Sequence, residues 1–252
     1  MRILLLRHGL PDYTTDTLTA RGRSEAALLA DRLSHYRIRD FYVSPLGRAR
    51  ETAGFTLQRM GRQAETLDWL QEFRGRYFDP IAGRERIVWD MLPREWVRYP
   101  ELMDVRAWPE CPLFENTNVP SVWRETTDGI DALMARYGFR KDGPVWLCDQ
   151  NTPDTIALFC HFGISMAVLS WLTDLSPFLF WQKTLCLPSA LTEITTEERI
   201  QGEVSFRITK LGDLTHLESA GVPRSTAGQY PECFTGVDST DPGINRTPEI
   251  PY

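Results

Sequence analysis

The chain has 252 residues, of which 42% are hydrophobic and 25% are charged. This composition is typical of a soluble globular protein that is long enough to bury a sizeable core. The formal net charge of −6 argues against a general nucleic-acid binder, which would carry an excess of basic residues.

Cysteine usage and hydrophobic runs bear on the compartment. The five cysteines follow neither a CxxC pattern nor a metal-ligand spacing, which is typical of free thiols in a reducing compartment. The apolar run at residues 3–6 is too short for a signal peptide. No stretch approaches the ~20 apolar residues that a membrane span needs. We therefore expect a soluble cytoplasmic protein that binds neither membranes nor nucleic acid.

The first predicted element is a buried strand over residues 3–6, and it ends abruptly at Arg7-His8-Gly9. Thr19 then suits the N-cap of a helix, because apolar residues recur at helical spacing up to Leu33. A second short strand ends at Ser44-Pro45, where Ser44 is expected to cap a helix over about 46–60. Alternation of strand and helix predicts βαβ units around a largely parallel sheet.

The regular alternation stops between about residues 76 and 122. This segment contains Trp89, Trp96 and Trp108 together with many charged residues and prolines. Because a structureless segment of that length is unusual inside a domain, we expect short helices and an inserted lid. The tryptophans should build the lid core, and one or two could line a pocket.

The second half of the chain resumes the regular pattern. Its second hydrophobic strand, over residues 155–160, also ends abruptly, at His161-Phe162-Gly163. Residues from 221 onward are rich in Pro, Gly, Ser and Thr, which predicts an extended surface tail over 221–252. The remaining predicted elements are helices over about 122–137 and 164–172 and strands over 145–148, 190–195 and 204–209.

Two predicted strands thus end in a histidine, at His8 and His161. The carboxyl ends of parallel strands meet at one edge of a sheet, where ligands usually bind. Arg7 accompanies the first histidine, and Arg48 lies near the start of the helix after the second strand. Two guanidinium groups and two imidazoles at one edge form a cationic pocket that suits a phosphate dianion.

These residues belong to a set of motifs that resembles the histidine phosphatase superfamily, which includes the phosphoglycerate mutases. The resemblance implies a three-layer α/β/α sandwich with a mostly parallel central sheet over residues 1–220 and a lid inserted at about 76–122. The matching pieces are Arg7-His8-Gly9, Leu18-Thr19-x-x-Gly22-x-x-Glu25-Ala26, Ser44-Pro45-Leu46-x-Arg48-Ala49-x-x-Thr52-Ala53, Leu70-x-Glu72-x-x-Gly75 and the strand end at His161.

The resemblance also implies roles for five residues. His8 would be the nucleophile that forms a phosphohistidine. Arg7, Arg48 and His161 would bind the phosphoryl oxygens, with His161 expected as a cation. Glu72 would protonate the leaving group and later activate water, although Glu51 and Glu65 are other carboxylates nearby in sequence. The mechanism requires no metal ion and no other cofactor, and the expected partner is a small phosphorylated substrate.

Departures from the mutase pattern favour hydrolysis. Leu10-Pro11-Asp12-Tyr13 follows the first motif in place of the mutase residues, and Phe73-Arg74-Gly75-Arg76-Tyr77 is closer to the phosphatase branch. We therefore expect a phosphatase acting on a small phosphomonoester. A mutase-type phosphotransferase and a non-catalytic protein that binds a phosphorylated ligand are the alternatives. The sequence predicts neither the substrate nor the oligomeric state.

Other charged groups are expected to lie away from the site. His35 and His216 are predicted at the surface, and four arginines of the lid segment are predicted to form a solvated loop. A second interpretation has one of these arginines meeting an anionic part of the substrate. The four are Arg74, Arg76, Arg84 and Arg86.

Overall fold

A computed structural model of the chain describes residues 1–230, 232 and 233. The strands in this part of the chain are β1 (Arg2–Arg7), β2 (Pro11–Asp12), β3 (Thr17–Leu18), β4 (Asp40–Val43), β5 (Glu65–Thr66), β6 (Arg76–Asp79), β7 (Arg84–Ile87), β8 (Phe139–Asp142), β9 (Val145–Cys148), β10 (Thr155–Cys160), β11 (Leu191–Ile200) and β12 (Glu203–Asp213). The helices are α1 (Ala20–Leu33), α2 (Gly47–Met60), α3 (Pro93–Trp96), α4 (Val119–Ala135), α5 (Phe162–Thr173), α6 (Pro177–Lys183) and α7 (Thr215–Glu218).

One eight-stranded sheet organises the molecule, in the order β5-β4-β10-β1-β11-β12-β9-β8. Strands β5, β4, β10 and β1 run parallel to one another. From β1 onward through β11, β12, β9 and β8 every pairing is antiparallel. The predicted α/β fold is confirmed, and its parallel core is the half of the sheet that ends at the predicted histidines.

The sheet is covered on both faces, because successive side chains of a strand point to opposite sides. In β1, Leu4 and Leu6 pack in one apolar cluster with residues of α1 and α2. Ile3 and Leu5 belong to a second cluster, which includes residues of α4, α5 and α6. The three-layer α/β/α arrangement predicted from the motifs is therefore confirmed.

The two predicted helix starts have different outcomes. Thr19 is the N-cap of α1, where its side chain accepts a hydrogen bond from the amide of Gly22. The prediction that Ser44 caps the next helix is wrong, because the N-cap of α2 is Leu46, which makes no side-chain cap bond. The Ser44 hydroxyl contacts His161 instead.

The segment between β6 and α4 is built around aromatic side chains. The expected short helices are present, namely α3 and four of the 3-10 helices. The antiparallel hairpin of β6 and β7 was not predicted. Trp108 is fully buried and makes edge contacts with Phe114, Trp123 and Trp181, with ring centroids 5.8, 5.0 and 5.6 Å away.

Two predictions of exposed side chains are wrong. His216 is buried, because α7 packs on α1, and its Nε2 lies 2.8 Å from the Ser189 hydroxyl. Arg86 is also buried, and its guanidinium forms ion pairs with Asp79 and Asp90. His35 is exposed, as predicted.

The predicted tail over 221–252 lies mostly outside the described residues. Where it is described, it follows the surface of the domain: the guanidinium of Arg21 donates to the carbonyl of Pro223. Further on, the hydroxyl of Tyr230 donates to the carboxylate of Asp90 at 3.3 Å. Among the described residues, no helix combines the length and apolar character needed to cross a membrane.

Candidate active site

His8 follows β1 directly, and its side chain is buried. Its Nδ1 lies 2.8 Å from the backbone carbonyl of Gly9, which can only accept a hydrogen bond. Nδ1 therefore carries the proton of the neutral ring, and Nε2 carries the lone pair. This tautomer leaves Nε2 available as a nucleophile.

The loop after His8 is held by its backbone. The amide of Gly9 donates to the hydroxyl of Thr52 at 3.0 Å, and the amide of Leu10 donates to the buried carboxylate of Glu25 at 2.9 Å. A Cβ on Gly9 would lie 2.5 Å from the carbonyl oxygen of Gly22, so a side chain at position 9 would force the loop apart. Thr52, Glu25 and both glycines belong to the predicted motifs, and together they hold this loop.

His161 lies beside His8, with ring centroids 5.1 Å apart. It is fully buried and forms the N-cap of α5. Its Nε2 lies 2.7 Å from the Ser44 hydroxyl, and that oxygen also accepts a hydrogen bond from the amide of Leu46 at 3.3 Å. Nδ1 of His161 is buried and has no hydrogen-bond partner among the described residues. Sequence reasoning missed this role of Ser44, because a serine before a proline equally predicts a helix cap.

The two predicted arginines also lie at this site. A guanidinium nitrogen of Arg7 donates to the carbonyl of Cys186, while its Nε is buried without a partner in the described part of the chain. Arg48 is buried, and its Nε has no partner there either. Buried N–H groups without partners are costly, and a bound phosphate would satisfy them.

Asp16 is a site residue that the sequence analysis did not identify. One of its carboxylate oxygens accepts a hydrogen bond from Arg48 Nη1 at 2.6 Å, and the other accepts from the amide of Gly47 at 2.6 Å. Gly47 is the first residue of α2, so this carboxylate takes the place of the missing side-chain cap. Asp16 offered no signal in the sequence, because it lies in a polar turn with a left-handed backbone (φ 51°).

Glu72 is the carboxyl group that reaches the site. Its Oε1 accepts hydrogen bonds from the amides of Phe73 at 2.8 Å and Ile164 at 3.0 Å. Burial raises the pKa of Glu72 above its ordinary value, although these bonds and the nearby Arg7 and Arg48 oppose the rise. The two other candidate carboxylates lie elsewhere: Glu51 pairs with Arg23, and Glu65 pairs with Arg136.

Burial also shifts the pKa of the two histidines. It lowers the pKa of His8 well below the ordinary value, and the positive charges of Arg7 and Arg48 lower it further. The pKa of His161 is lowered for the same reasons, with His8 adding to the effect. These lowered pKa values favour neutral imidazoles in the free protein, and the expectation that His161 is a cation beside a phosphoryl group stays a prediction.

Three aromatic side chains form a rim around these polar groups. The Arg48 guanidinium lies over the ring of Tyr13, with Cζ 5.4 Å from the centroid, and Arg7 lies over Phe162 at 5.8 Å. Trp89 meets Phe162 edge to face, with centroids 5.8 Å apart. All three rings are half-buried.

The five predicted residues thus converge on one edge of the parallel half of the sheet. His8 and His161 are neighbours, and the charges of Arg7 and Arg48 act on both of them and on Glu72. Such a site can bind an anion, supply a neutral imidazole nucleophile and hold a proton on a buried carboxyl group.

Comparisons with known proteins agree with this geometry. Residues 3–107 match the histidine phosphatase superfamily (branch 1). A probable phosphatase of Schizosaccharomyces pombe is 25% identical over 233 residues, which cover 87% of this chain and 96% of the relative.

Among solved structures, phosphoserine phosphatase of Entamoeba histolytica, crystallised with phosphoserine, is similar with a TM-score of 0.57 and 17% identity, over 86% of this chain and 98% of that chain. A mycobacterial glucosyl-3-phosphoglycerate phosphatase has a TM-score of 0.53 and 17% identity, over 83% of this chain and 97% of that chain. At such identities the likeness shows the fold alone. The motifs and the sequence match make residues 3–107 of the chain similar to the histidine phosphatase superfamily.

Proposed function

We propose that the protein is a phosphatase that hydrolyses a small phosphomonoester through a phosphohistidine on His8, without a metal ion. The observation that carries the proposal is the pairing of a neutral nucleophilic imidazole with a buried carboxyl group whose pKa is raised. The names of the similar proteins support phosphatase activity in general.

The substrate phosphate would be held by three side chains. Arg7 and Arg48 each offer a buried Nε–H that has no partner among the described residues. His161 can donate through Nδ1–H while neutral, provided that Ser44 donates its hydroxyl proton to Nε2. The amide of Leu46 donates to Ser44 and favours that direction. His161 therefore does not need a positive charge to bind a phosphoryl oxygen.

In the first step, Nε2 of His8 attacks phosphorus in line with the leaving oxygen. The P–O bond breaks as the P–N bond forms, and Glu72 transfers its proton to the leaving oxygen. Oε1 of Glu72 already accepts two backbone hydrogen bonds, so Oε2 is the oxygen suited to carry that proton. The products are the free alcohol, phosphohistidine and the Glu72 carboxylate.

In the second step, the Glu72 carboxylate takes a proton from water as the water oxygen attacks phosphorus. The P–N bond breaks, its electron pair returns to Nε2, and inorganic phosphate is released. The raised pKa of Glu72 suits both directions of proton transfer, because a group that is too acidic would protonate the leaving oxygen poorly.

The alternatives use the same pocket. A mutase would keep water out and pass the phosphoryl group to a second substrate, and a binding protein would need no proton donor. The buried Glu72 with its raised pKa argues against mere binding, because binding a phosphate requires no group that protonates a leaving oxygen.

The test is phosphate release from p-nitrophenyl phosphate in the presence of EDTA. The wild type should release phosphate, and His8→Ala should lose at least ~10³-fold in kcat/KM, since it lacks the nucleophile. His35→Ala, which alters an exposed histidine, should match the wild type. If the wild type releases no phosphate, the proposal that the protein is a phosphatase is refuted. Labelling of His8 without release would favour the mutase.

A further inference from the structure

Trp89 lies next to the carboxyl group that would protonate the leaving oxygen. If Gly163 carried a Cβ, that atom would lie 2.7 Å from Oε1 of Glu72 and also 2.7 Å from Cδ1 and Nε1 of Trp89. The indole and the carboxyl group therefore converge on the same point at the start of α5. A leaving group that receives its proton from Glu72 would therefore lie near this indole.

The indole is fixed in place and offers only carbon atoms to a ligand. Its Nε1 donates to the carbonyl of Phe73 at 3.1 Å, and Gln182 donates to the backbone carbonyl of Trp89 at 3.1 Å. The ring also packs edge to face on Phe162. Because its one polar atom is already bonded, Trp89 cannot donate a hydrogen bond to a polar substrate group.

The two arginines of the site would bind the phosphate. Arg7 and Arg48 each have a buried Nε–H without a partner among the described residues, which a phosphate would accept from. Asp16 lies against Arg48 and adds a negative charge there. A substrate carboxylate on the Arg48 side of the phosphate would face the negative charge of Asp16.

We propose that the substrate is a phosphomonoester whose alcohol part is uncharged and presents a flat, aromatic surface to Trp89. This inference rests on the proposed function. Trp89 is the specificity residue: it stacks with the leaving group and holds its oxygen toward Glu72. The carboxylate-bearing phosphate esters named for similar proteins would be poor substrates.

The experiment compares kcat/KM for three primary alkyl phosphates, because the reactivities of their leaving groups are similar. These are benzyl phosphate, ethyl phosphate and 2-phosphoglycolate. The wild type should prefer benzyl over ethyl phosphate by ~10- to 100-fold, which is the discrimination that apolar contacts can supply. It should hydrolyse phosphoglycolate more slowly than ethyl phosphate, because the carboxylate loses its hydration and faces the negative charge of Asp16.

Three variants assign the preference to Trp89. Trp89→Ala should reduce the benzyl-to-ethyl ratio to ~3 or less, while Trp89→Phe should keep most of it, because a ring remains. Phe78→Ala, which removes an exposed aromatic side chain from the same segment, should leave the ratio unchanged. Circular dichroism and the melting temperature should show that each variant is folded.

Two results would overturn the inference: a wild type that prefers phosphoglycolate, or a Trp89→Ala variant that is folded and keeps the wild-type ratio. If Trp89→Ala does not fold, the inference is tested by the order in which the wild type prefers the three esters and by the benzyl-to-ethyl ratio of Trp89→Phe. p-Nitrophenyl phosphate is measured alongside. Its hydrolysis together with a preference for the carboxylate ester would contradict this inference alone, whereas no hydrolysis of any ester would contradict the proposed function.

Discussion

The catalytic edge of the sheet and the segment between β6 and α4 are stabilised in different ways. At the edge, short hydrogen bonds between backbone amides and side chains fix each functional group, as at Gly9 and Thr52. In the segment, interlocking aromatic rings around Trp108 and a buried ionic group at Arg86 replace a regular framework. Substitutions at the edge should therefore change catalysis, and substitutions in the segment should change stability first.

After loss of the nucleophile His8, Glu72→Gln should give the largest effect on catalysis. Hydrolysis of ethyl phosphate should fall by ~10²- to 10⁴-fold, because its leaving oxygen needs a proton. The rate of the first step with p-nitrophenyl phosphate should fall far less, because p-nitrophenolate leaves without a proton. Burst kinetics separates this step from the second. Glu65→Gln, at an exposed carboxylate, is the control, and an equal loss with both esters would contradict the acid role of Glu72.

The pH dependence of the same reaction should follow the two shifted groups. The raised pKa of Glu72 keeps it protonated to a higher pH than usual, so kcat/KM for alkyl esters should fall as the pH rises through that pKa. The lowered pKa of His8 keeps the nucleophile neutral down to a lower pH than usual, so the acidic decline from His8 should lie below pH 6.5. An alkaline decline that persists in Glu72→Gln would assign it to another group.

Arg86→Ala tests the segment. It should lower the free energy of unfolding by about 3 to 5 kcal/mol, because the fully buried Asp79 would lose its cation. Denaturant titration measures this change, with the exposed Glu85→Ala as control. The kcat of the folded fraction should change little. A stable Arg86→Ala variant that has lost activity would place Arg86 in the site.

Glu95→Gln tests a pH effect in the same segment. Burial and the neighbouring Asp79 raise the pKa of Glu95 to about 7. The folded protein therefore holds this proton more tightly than the unfolded chain does. The contribution of this proton to the free energy of unfolding is fully present below the ordinary pKa of 4.5, and it is lost as the pH rises to about 7.

The variant should remove that loss, so its stability relative to the wild type should improve between pH 5 and pH 8 by on the order of 2 kcal/mol. Urea titrations at both pH values measure the difference. Two neighbours do not change charge over this range. Arg86, which pairs with Asp79 and Asp90, stays charged. Tyr77, which donates to Glu95 at 3.1 Å, stays neutral. An unchanged pH dependence would show that another group is responsible.

Ser44→Ala should have a smaller effect. It removes the hydroxyl that sets the tautomer of His161, and kcat should fall by ~10-fold, the value of about one hydrogen bond. Ser121→Ala, at an exposed serine of α4, should have no effect. Wild-type kinetics in Ser44→Ala would mean that His161 does not need this partner.

Asp16→Asn should have the smallest effect. The amide oxygen can still accept from Gly47, but the negative charge beside Arg48 is gone. Inhibition by inorganic phosphate should strengthen by ~3- to 10-fold, since a surface-facing charge pair contributes about 0.2 to 1 kcal/mol and this one is half-buried. Weaker inhibition would indicate that Asp16 positions Arg48 rather than competing with phosphate.

The contrast between the two regions also explains what the sequence could predict. A buried strand that ends in Arg-His-Gly fixes a location in the fold, because strand direction decides where its end lies. His8, Arg7, Arg48, His161 and Glu72 were therefore found together at the edge where they were expected. Asp16 and Ser44 were missed because their contacts come from loops that no periodic pattern describes.

In the segment between β6 and α4, no strand end of this kind indicated where a side chain would lie in the fold. Arg86 looked like one of several loop arginines. Its burial depends on Asp79, which the hairpin brings beside it, and on Asp90, which lies four residues further along the chain. His216 was misplaced for a similar reason, because the short helix α7 is buried only by its contact with α1. Long-range packing of this kind leaves no local signal.

The hydrogen bond from Nδ1 of His8 to the carbonyl of Gly9 has a stereochemical consequence. It prevents the imidazole from turning over, so the phosphoryl group would arrive at and leave from the same nitrogen along one line. Each displacement inverts the configuration at phosphorus, and two inversions give net retention. A substrate made chiral at phosphorus with oxygen isotopes should therefore transfer its phosphoryl group to an acceptor alcohol with retention, whereas direct attack by that alcohol would give inversion.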